Sequence, residues 1–180
     1  MATEFRHDLG NVSLDFLATV RDWPGRHIDR LETADDLSRW LGEAGFAEEA
    51  PVSKEQLEEA RALRDSIYRL LQRARDEGRV PSPQAAFVNE WARKATFAPQ
   101  IGPSFSRVTV SGNVAAAALA HIARESVELV TGPDLARVRK CAGCSLLFVD
   151  RSRPGSRRWC SMDRCGNREK MARYRKKAHD

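Results

Sequence analysis

The sequence contains no run of about 18 apolar residues, so nothing in it reads as a helical membrane span. It carries no phosphate-binding loop, no dinucleotide fingerprint and no Ser/His/Asp set. Its four histidines, His7, His27, His121 and His179, stand apart from one another. With no catalytic set to name, the expectation is that the chain is not an enzyme. The opening MATEFRHDLGNV lacks a basic patch followed by an apolar stretch, so it does not read as a secretory signal, and a cytoplasmic location is expected. Internal repeats and low-complexity tracts are also missing. Acids become scarce near the C-terminus. From Arg137 to Lys177 there are 14 Lys or Arg against Asp150, Asp163 and Glu169, a net +11. Residues 1–136 carry 16 basic and 21 acidic side chains, a net −5. An acidic body joined to a basic end suits attachment to nucleic acid.

Helical periodicity dominates the first part. Val12 to Val20 is apolar and fits either a strand or a short helix. Thr33 to Phe46 reads as a helix with Leu37, Trp40 and Leu41 on one face and Gly45 ending it. Ser53 and Gln56 form a capping-box pattern ahead of a stripe of Leu57, Ala60, Ile67, Leu70, Leu71 and Ala74, closed by Gly78. Ser82-Pro83 opens a third helix whose buried face is Phe87, Val88 and Trp91. Thr96 to Val110, broken by Pro99, Gly102 and Pro103, reads as two short strands around a turn. Val114 to Val130 is a long Ala-rich helix stopped by Gly132 and Pro133. Asp15, beside Phe16 in an apolar stretch, reads as structural. Ser111-Gly112-Asn113 reads as a plain helix cap, and Trp23, Trp40 and Trp91 as core. The expected fold is mainly α with a small β-sheet or hairpin: a multihelical domain over 1–136, then a four-cysteine zinc finger over 137–180.

All four cysteines fall within 25 positions, spaced Cys141-x2-Cys144-x15-Cys160-x4-Cys165. In a reducing compartment this clustering favours metal ligation over disulfides. A structural Zn²⁺ takes four such ligands in a tetrahedron with sulfur about 2.3 Å away, and four thiolates leave no open position for catalysis. Gly143 suits the tight turn that aims the first pair at one point. Leu146 to Val149 reads as a strand, Asp150 to Ser156 as a turn, and Arg157 to Trp159 as the return to Cys160, giving a treble-clef-like or ribbon-like hairpin followed by a helix. Burial alone cannot stabilise so small a unit, whereas zinc supplies roughly 10–16 kcal/mol in comparable modules. One Zn²⁺ on four thiolates adds −2 and leaves the finger net positive.

After Cys165, Asn167 reads as a helix cap. Met171, Tyr174 and Ala178 share one face, expected to dock on the zinc hairpin. Lys170, Arg173 and Lys177 share another, with Arg168, Arg175 and Lys176 nearby and Arg157 and Arg158 extending the patch. These eight side chains are the candidate nucleic-acid contacts, since clustered cations track a phosphate backbone.

Cys165-Gly166-Asn167-Arg168, with Arg158-Trp159-Cys160-Ser161-Met162, Cys141-x2-Cys144 and LLFVDRSRPGSRRW, closely resembles the CGNR zinc finger. SLDFLATV, ALRDSIYRLL and AAAALAHIARESVELV resemble the ABATE domain that usually precedes it, a domain described as a stress-induced transcription regulator. The resemblance implies a mostly helical first domain, zinc on the four cysteines and a role in transcription regulation. Members often carry Asn-Thr where this chain has Ala18-Thr19. The leading expectation is a DNA-binding regulator whose first domain dimerises or senses a small molecule. The alternatives are an RNA-binding zinc module and a protein-interaction adaptor with a purely structural zinc. Only Phe148, Trp159 and Tyr174 are aromatic in the finger, which favours DNA over RNA because RNA recognition leans on stacked bases.

Overall fold

The computed structural model describes residues 4–23, 25, 27–46, 51–101, 107–110 and 112–177, without the side chains of 99, 107–110, 173, 176 and 177. The stretch that fits either strand or helix resolves into both. Helix α1 covers Val12–Leu17, capped by the Asn11 side chain on the Ser13 amide, and strand β1 follows at Val20–Arg21, paired antiparallel with β2 at Ile28–Asp29. Helix α2 (Ala34–Glu43) starts with a capping box between Thr33 and Asp36, which satisfies two amide donors at once. Helix α3 (Lys54–Glu77) starts with the Ser53–Gln56 box and ends at Gly78, whose φ of 61° is the left-handed turn a glycine takes without strain.

Helix α4 (Ser82–Arg93) buries Val88 and Trp91, while Phe87 is only half-buried. Strands β3 (Ala98–Ile101) and β4 (Arg107–Val110) pair antiparallel, and the turn expected between them lies outside the described residues. Helix α5 (Val114–Thr131) is capped by the Asn113 side chain on the Ala116 amide. Its alanines let α3 and α4 approach closely, and α3, α4 and α5 pack on one another as the centre of the body.

Trp40 and Trp91 are core residues, but Trp23 is half-buried and stacks on Tyr68 with ring centroids 4.0 Å apart. A buried Arg64 crosses this region. Its guanidinium donates to both Asp29 oxygens, at 2.8 and 2.5 Å, and to the Thr19 hydroxyl at 2.9 Å. Pairing of this kind is what lets a charge lie inside a protein.

A 3-10 turn at Pro133–Arg137 leads into β5 (Val138–Lys140), which pairs antiparallel with β6 (Leu147–Val149). This corrects the sequence reading of the hairpin. The partner of the apolar strand precedes the first cysteine pair, and the 157–159 segment joins no described ladder. The reason is the knuckle: Cys141 to Cys144 makes the turn, so the strands on either side of it pair. All of β6 is buried, because one of its faces meets the helical body. Residues from 1–136 and from 137–180, the sulfur ligands included, therefore share one continuous hydrophobic core. A π-turn at Met162–Gly166 runs directly into helix α6 (Asn167–Lys177).

Candidate metal centre

The thiols of Cys141, Cys144, Cys160 and Cys165 converge, with their sulfurs all within 4.8 Å of one another. Two edges of the cluster measure 3.7 Å (Cys144–Cys160) and 3.8 Å (Cys160–Cys165). A tetrahedron of Zn–S bonds about 2.3 Å long has edges of about 3.8 Å. The donor set and its size thus fit one four-coordinate structural Zn²⁺, whose closed shell of thiolates holds the hairpin to the helix.

Local folding brings these ligands together. The knuckle closes through the Ser145 amide on the Cys141 carbonyl at 3.0 Å and the Cys141 amide on the Leu146 carbonyl at 2.8 Å. Its left-handed residue is Ser145, at φ 62°, rather than the glycine the sequence points to. Gly143 lies in a close approach: a Cβ there would sit 3.2 Å from the Cys165 Cβ, a tight contact. The Gly143 and Cys160 amides each lie 3.4 Å from the Cys141 sulfur and donate to it. Such donors orient ligands and offset thiolate charge. The turn after β6 is organised by Asp150, which is fully buried. Its carboxylate accepts from the Ser152 amide (3.0 Å) and hydroxyl (2.6 Å) and from the Arg157 amide (2.8 Å). Burial works to raise its pKa, but these donors outweigh burial and hold it at about 2.

Without a cation, four such close sulfurs cannot all ionise. Donation from Cys144 and the Arg6 guanidinium hold the Cys160 thiol below its usual range, whereas Cys144 is pushed up by that same donation and by burial. A divalent metal removes this conflict by binding every sulfur as thiolate.

Two arginines reach the cluster. Arg168 donates from Nη2 to the Gly143 carbonyl at 2.7 Å and to the Cys165 sulfur at 3.6 Å. Arg6, from the far end of the chain, donates from Nη1 to the Cys160 sulfur at 3.7 Å while Asp8 grips its other edge at 2.6 and 2.8 Å. Arg6 was not legible as a site residue, because no local motif marks it and its role comes from long-range packing.

The eight candidate nucleic-acid contacts separate into groups. Arg157 and Arg168 are committed to holding the finger: Arg157 donates to the Cys160 carbonyl at 2.6 Å and lies 5.1 Å from the Phe148 ring centroid. Arg158, Lys170 and Arg175 are exposed and in no ion pair among the described residues; Arg158 lies 5.3 Å from the Trp159 ring centroid. The side chains of Arg173, Lys176 and Lys177 lie outside the described residues.

Two expectations for this helix are corrected. Asn167 does not cap it, because its backbone is already helical and α6 continues from the π-turn. The apolar stripe does not dock on the hairpin either. Met171 is 51% exposed and Tyr174 72%, and together with Trp159 and Met162 they line an open groove. The π-turn that carries Cys165 sets the direction of α6 and leaves this face uncovered. Ala178 lies outside the described residues.

Among the minor candidates, Asp15 is buried and accepts the Leu9 amide at 2.9 Å, a structural role. His7 sits beside Trp40 and Glu43. His121 lies at the rim against Phe46 and Glu125, whereas His27 meets the Trp23 ring. Residues 111 and 179 are outside the described residues. No helix among the described residues is long and apolar enough to cross a membrane.

Comparison with known proteins agrees with this geometry. A family model described as "ABATE: Putative stress-induced transcription regulator" matches residues 10–133, and one described as "CGNR zinc finger" matches residues 137–178. No curated protein matches the sequence. With a matching helical body over most of its length and four converging cysteines in the matching finger, the chain belongs to the ABATE family and ends in a CGNR zinc finger.

Proposed function

We propose that the chain is a DNA-binding transcription regulator in which the zinc-held finger contacts the phosphate backbone and the helical body senses a small molecule or dimerises. The observation that carries this reading is the exposure of Arg158, Lys170 and Arg175 without acidic partners among the described residues, within a segment of net +11. Fourteen cations against three acids repel one another unless an anionic partner offsets them. The metal acts structurally, since four thiolates close its coordination shell, so no enzymatic role is assigned.

The test is salt-dependent binding of duplex DNA to the zinc-loaded protein. Replacing Lys170, Arg173 and Lys177 together by Ala lowers affinity, and the slope of log K against log salt falls by about 0.9 for each phosphate that the variant no longer neutralises. An unchanged slope overturns the assignment of this helix face. Competition between duplex DNA and single-stranded RNA separates the two nucleic acids.

A second reading, protein interaction, is favoured by the open groove of Trp159, Met162, Met171 and Tyr174, because exposed apolar patches commonly mark partner sites. Replacing Met171 and Tyr174 by polar residues separates the readings. Under this reading partner binding or self-association is lost and the salt slope on DNA is unchanged.

A further inference from the structure

Beside the metal centre, the body and the finger enclose a second feature, and the ligands Cys144 and Cys165 form part of its wall. A cleft of about 260 Å³ opens between them, and five arginines line it: Arg6, Arg21 and Arg30 from the body, Arg164 and Arg168 from the finger. Ala18 also lines the cleft, and its small side chain preserves the space.

Three of these cations are already engaged. Arg6 is held by Asp8 and the Cys160 sulfur, Arg168 by the Gly143 carbonyl and the Cys165 sulfur, and Arg164 by a two-pronged ion pair with Glu4. Arg21 and Arg30 are left. Arg30 donates to the Glu4 backbone carbonyl at 2.6 Å but faces no carboxylate within ion-pair distance among the described residues, and the Arg21 side chain has no hydrogen-bond or ion-pair partner among them.

The β1–β2 ribbon places these two side by side. Its ladder pairs Val20 with Asp29 and Arg21 with Ile28, and the Arg30 amide reaches the Thr19 carbonyl at 2.9 Å. Arg21 therefore lies two residues along from the partner of Arg30, on the same face of the ribbon, a diagonal neighbour within reach of a long side chain. Burial first, and then the nearby Arg21 guanidinium, push the Arg30 pKa below its ordinary value, while the Glu4 carboxylate works to raise it. The Glu4 carboxylate at the cleft wall is taken by Arg164, and two guanidinium groups held together with no acid within ion-pair distance among the described residues are suited to receiving an anion there, since planar forks match the oxygens of phosphate and carboxylate.

We propose that this cleft binds a compact free oxyanion, a phosphate- or carboxylate-bearing small molecule, gripped by Arg21 and Arg30 with Arg164 at its finger side. The ligand is compact because the cleft is smaller than the about 300 Å³ at which sites for drug-sized ligands begin. Because the cations come from both body and finger, a bound anion strengthens the contact between them. This names a ligand class for the sensing role assigned above. It rests on that reading only for the consequence of binding, since occupancy of the cleft requires no DNA.

The experiment is calorimetric titration of the zinc-loaded full-length protein with inorganic phosphate and, separately, citrate, in low-salt chloride buffer. One saturable site per chain is expected, with a dissociation constant of about 1 mM or tighter. Arg21→Ala and Arg30→Gln each weaken it by about tenfold or more, Arg21→Lys retains part of it, and Arg158→Ala with Arg175→Ala leaves it intact. Zinc content and circular dichroism confirm that each variant is folded, and the exposed Arg21 makes its variants the safer pair. Absence of saturable binding for both probes overturns the proposal, as does binding that survives both cleft variants. Duplex DNA titrated against the same proteins identifies the source of the anion. If the cleft variants lose DNA affinity and the wild type binds neither small anion, the cleft holds a backbone phosphate and the proposal fails. If the wild type binds phosphate or citrate and the cleft variants keep full DNA affinity, the free anion is supported.

Discussion

Arg6 lies 154 positions ahead of Cys160 in the chain, yet its guanidinium donates to that sulfur and is itself gripped by Asp8. Four thiolates on one Zn²⁺ leave a charge of −2 in a mostly buried place, and a guanidinium N–H offsets part of it. Outer partners of this kind typically contribute about 10–100-fold to metal affinity. Arg6→Ala is expected to weaken zinc binding by about that factor in a chelator competition, with the finger otherwise folded when zinc is in excess. Asp15 makes a separate prediction. Burial lifts its pKa to about 6 against the Leu9 N–H, which works to lower it. An acid with a raised folded pKa is favoured while protonated, so this group's contribution to stability falls as pH rises from about 4 to about 6. Two units correspond to about 3 kcal/mol. Asp15→Asn keeps an acceptor for the Leu9 amide, so it should raise Tm at pH 7 and flatten the pH dependence of Tm between 4 and 6. A lower Tm at pH 7 would show that the carboxylate stabilises the fold.

At the scale of elements, the capping box of α3 and its closing Gly78 were legible because caps are local chemistry, written within three or four residues, whereas the Thr33–Asp36 box of α2 came only with the structure. The second strand of the zinc hairpin was misplaced, because a β-partner is chosen by what the knuckle brings alongside rather than by the strand's own composition. The junction between N-terminal segment and finger belongs to the same class. The Val149 amide donates to the Leu9 carbonyl at 2.9 Å, and Arg151 Nη2 to the Gly10 carbonyl at 3.1 Å. Gly10 sits at φ 90°, and a Cβ there would meet the Val149 Cβ at 3.2 Å. Gly10→Ala therefore combines a disfavoured backbone with a tight approach at the seam. It should cost about 1–3 kcal/mol in denaturant unfolding and should loosen the finger first, seen as faster amide exchange at Val149.

For the whole molecule, the single core changes what removing the metal does. Phe148 and Val149 are 1% and 2% exposed, and they pack in the same cluster as Leu9, Leu14 and Leu129 of the body. Zinc contributes roughly 10–16 kcal/mol in comparable small modules, so loss of the metal should unfold the finger and strip cover from the body. Chelation is expected to lower the Tm of the helical body as well as to release the finger, and Cys160→Ser should do the same without a chelator. If the body melts at an unchanged temperature, the shared core is not a cooperative unit.

The sequence by itself determined what depends on neighbours along the chain: most of the helices, the caps of α3 and α5, the four ligands and the excess of cations in the finger. Spacing brings the members of each cysteine pair within reach of each other, and periodicity sorts core from surface. Tertiary structure alone decided which distant groups meet. It set Arg6 against a zinc ligand, turned Arg157 and Arg168 from surface cations into supports of the finger, left Met171 and Tyr174 uncovered, and gathered five arginines around one cleft. These outcomes depend on the direction in which one element leaves another, which is set by packing and metal geometry and is written in no single stretch of residues.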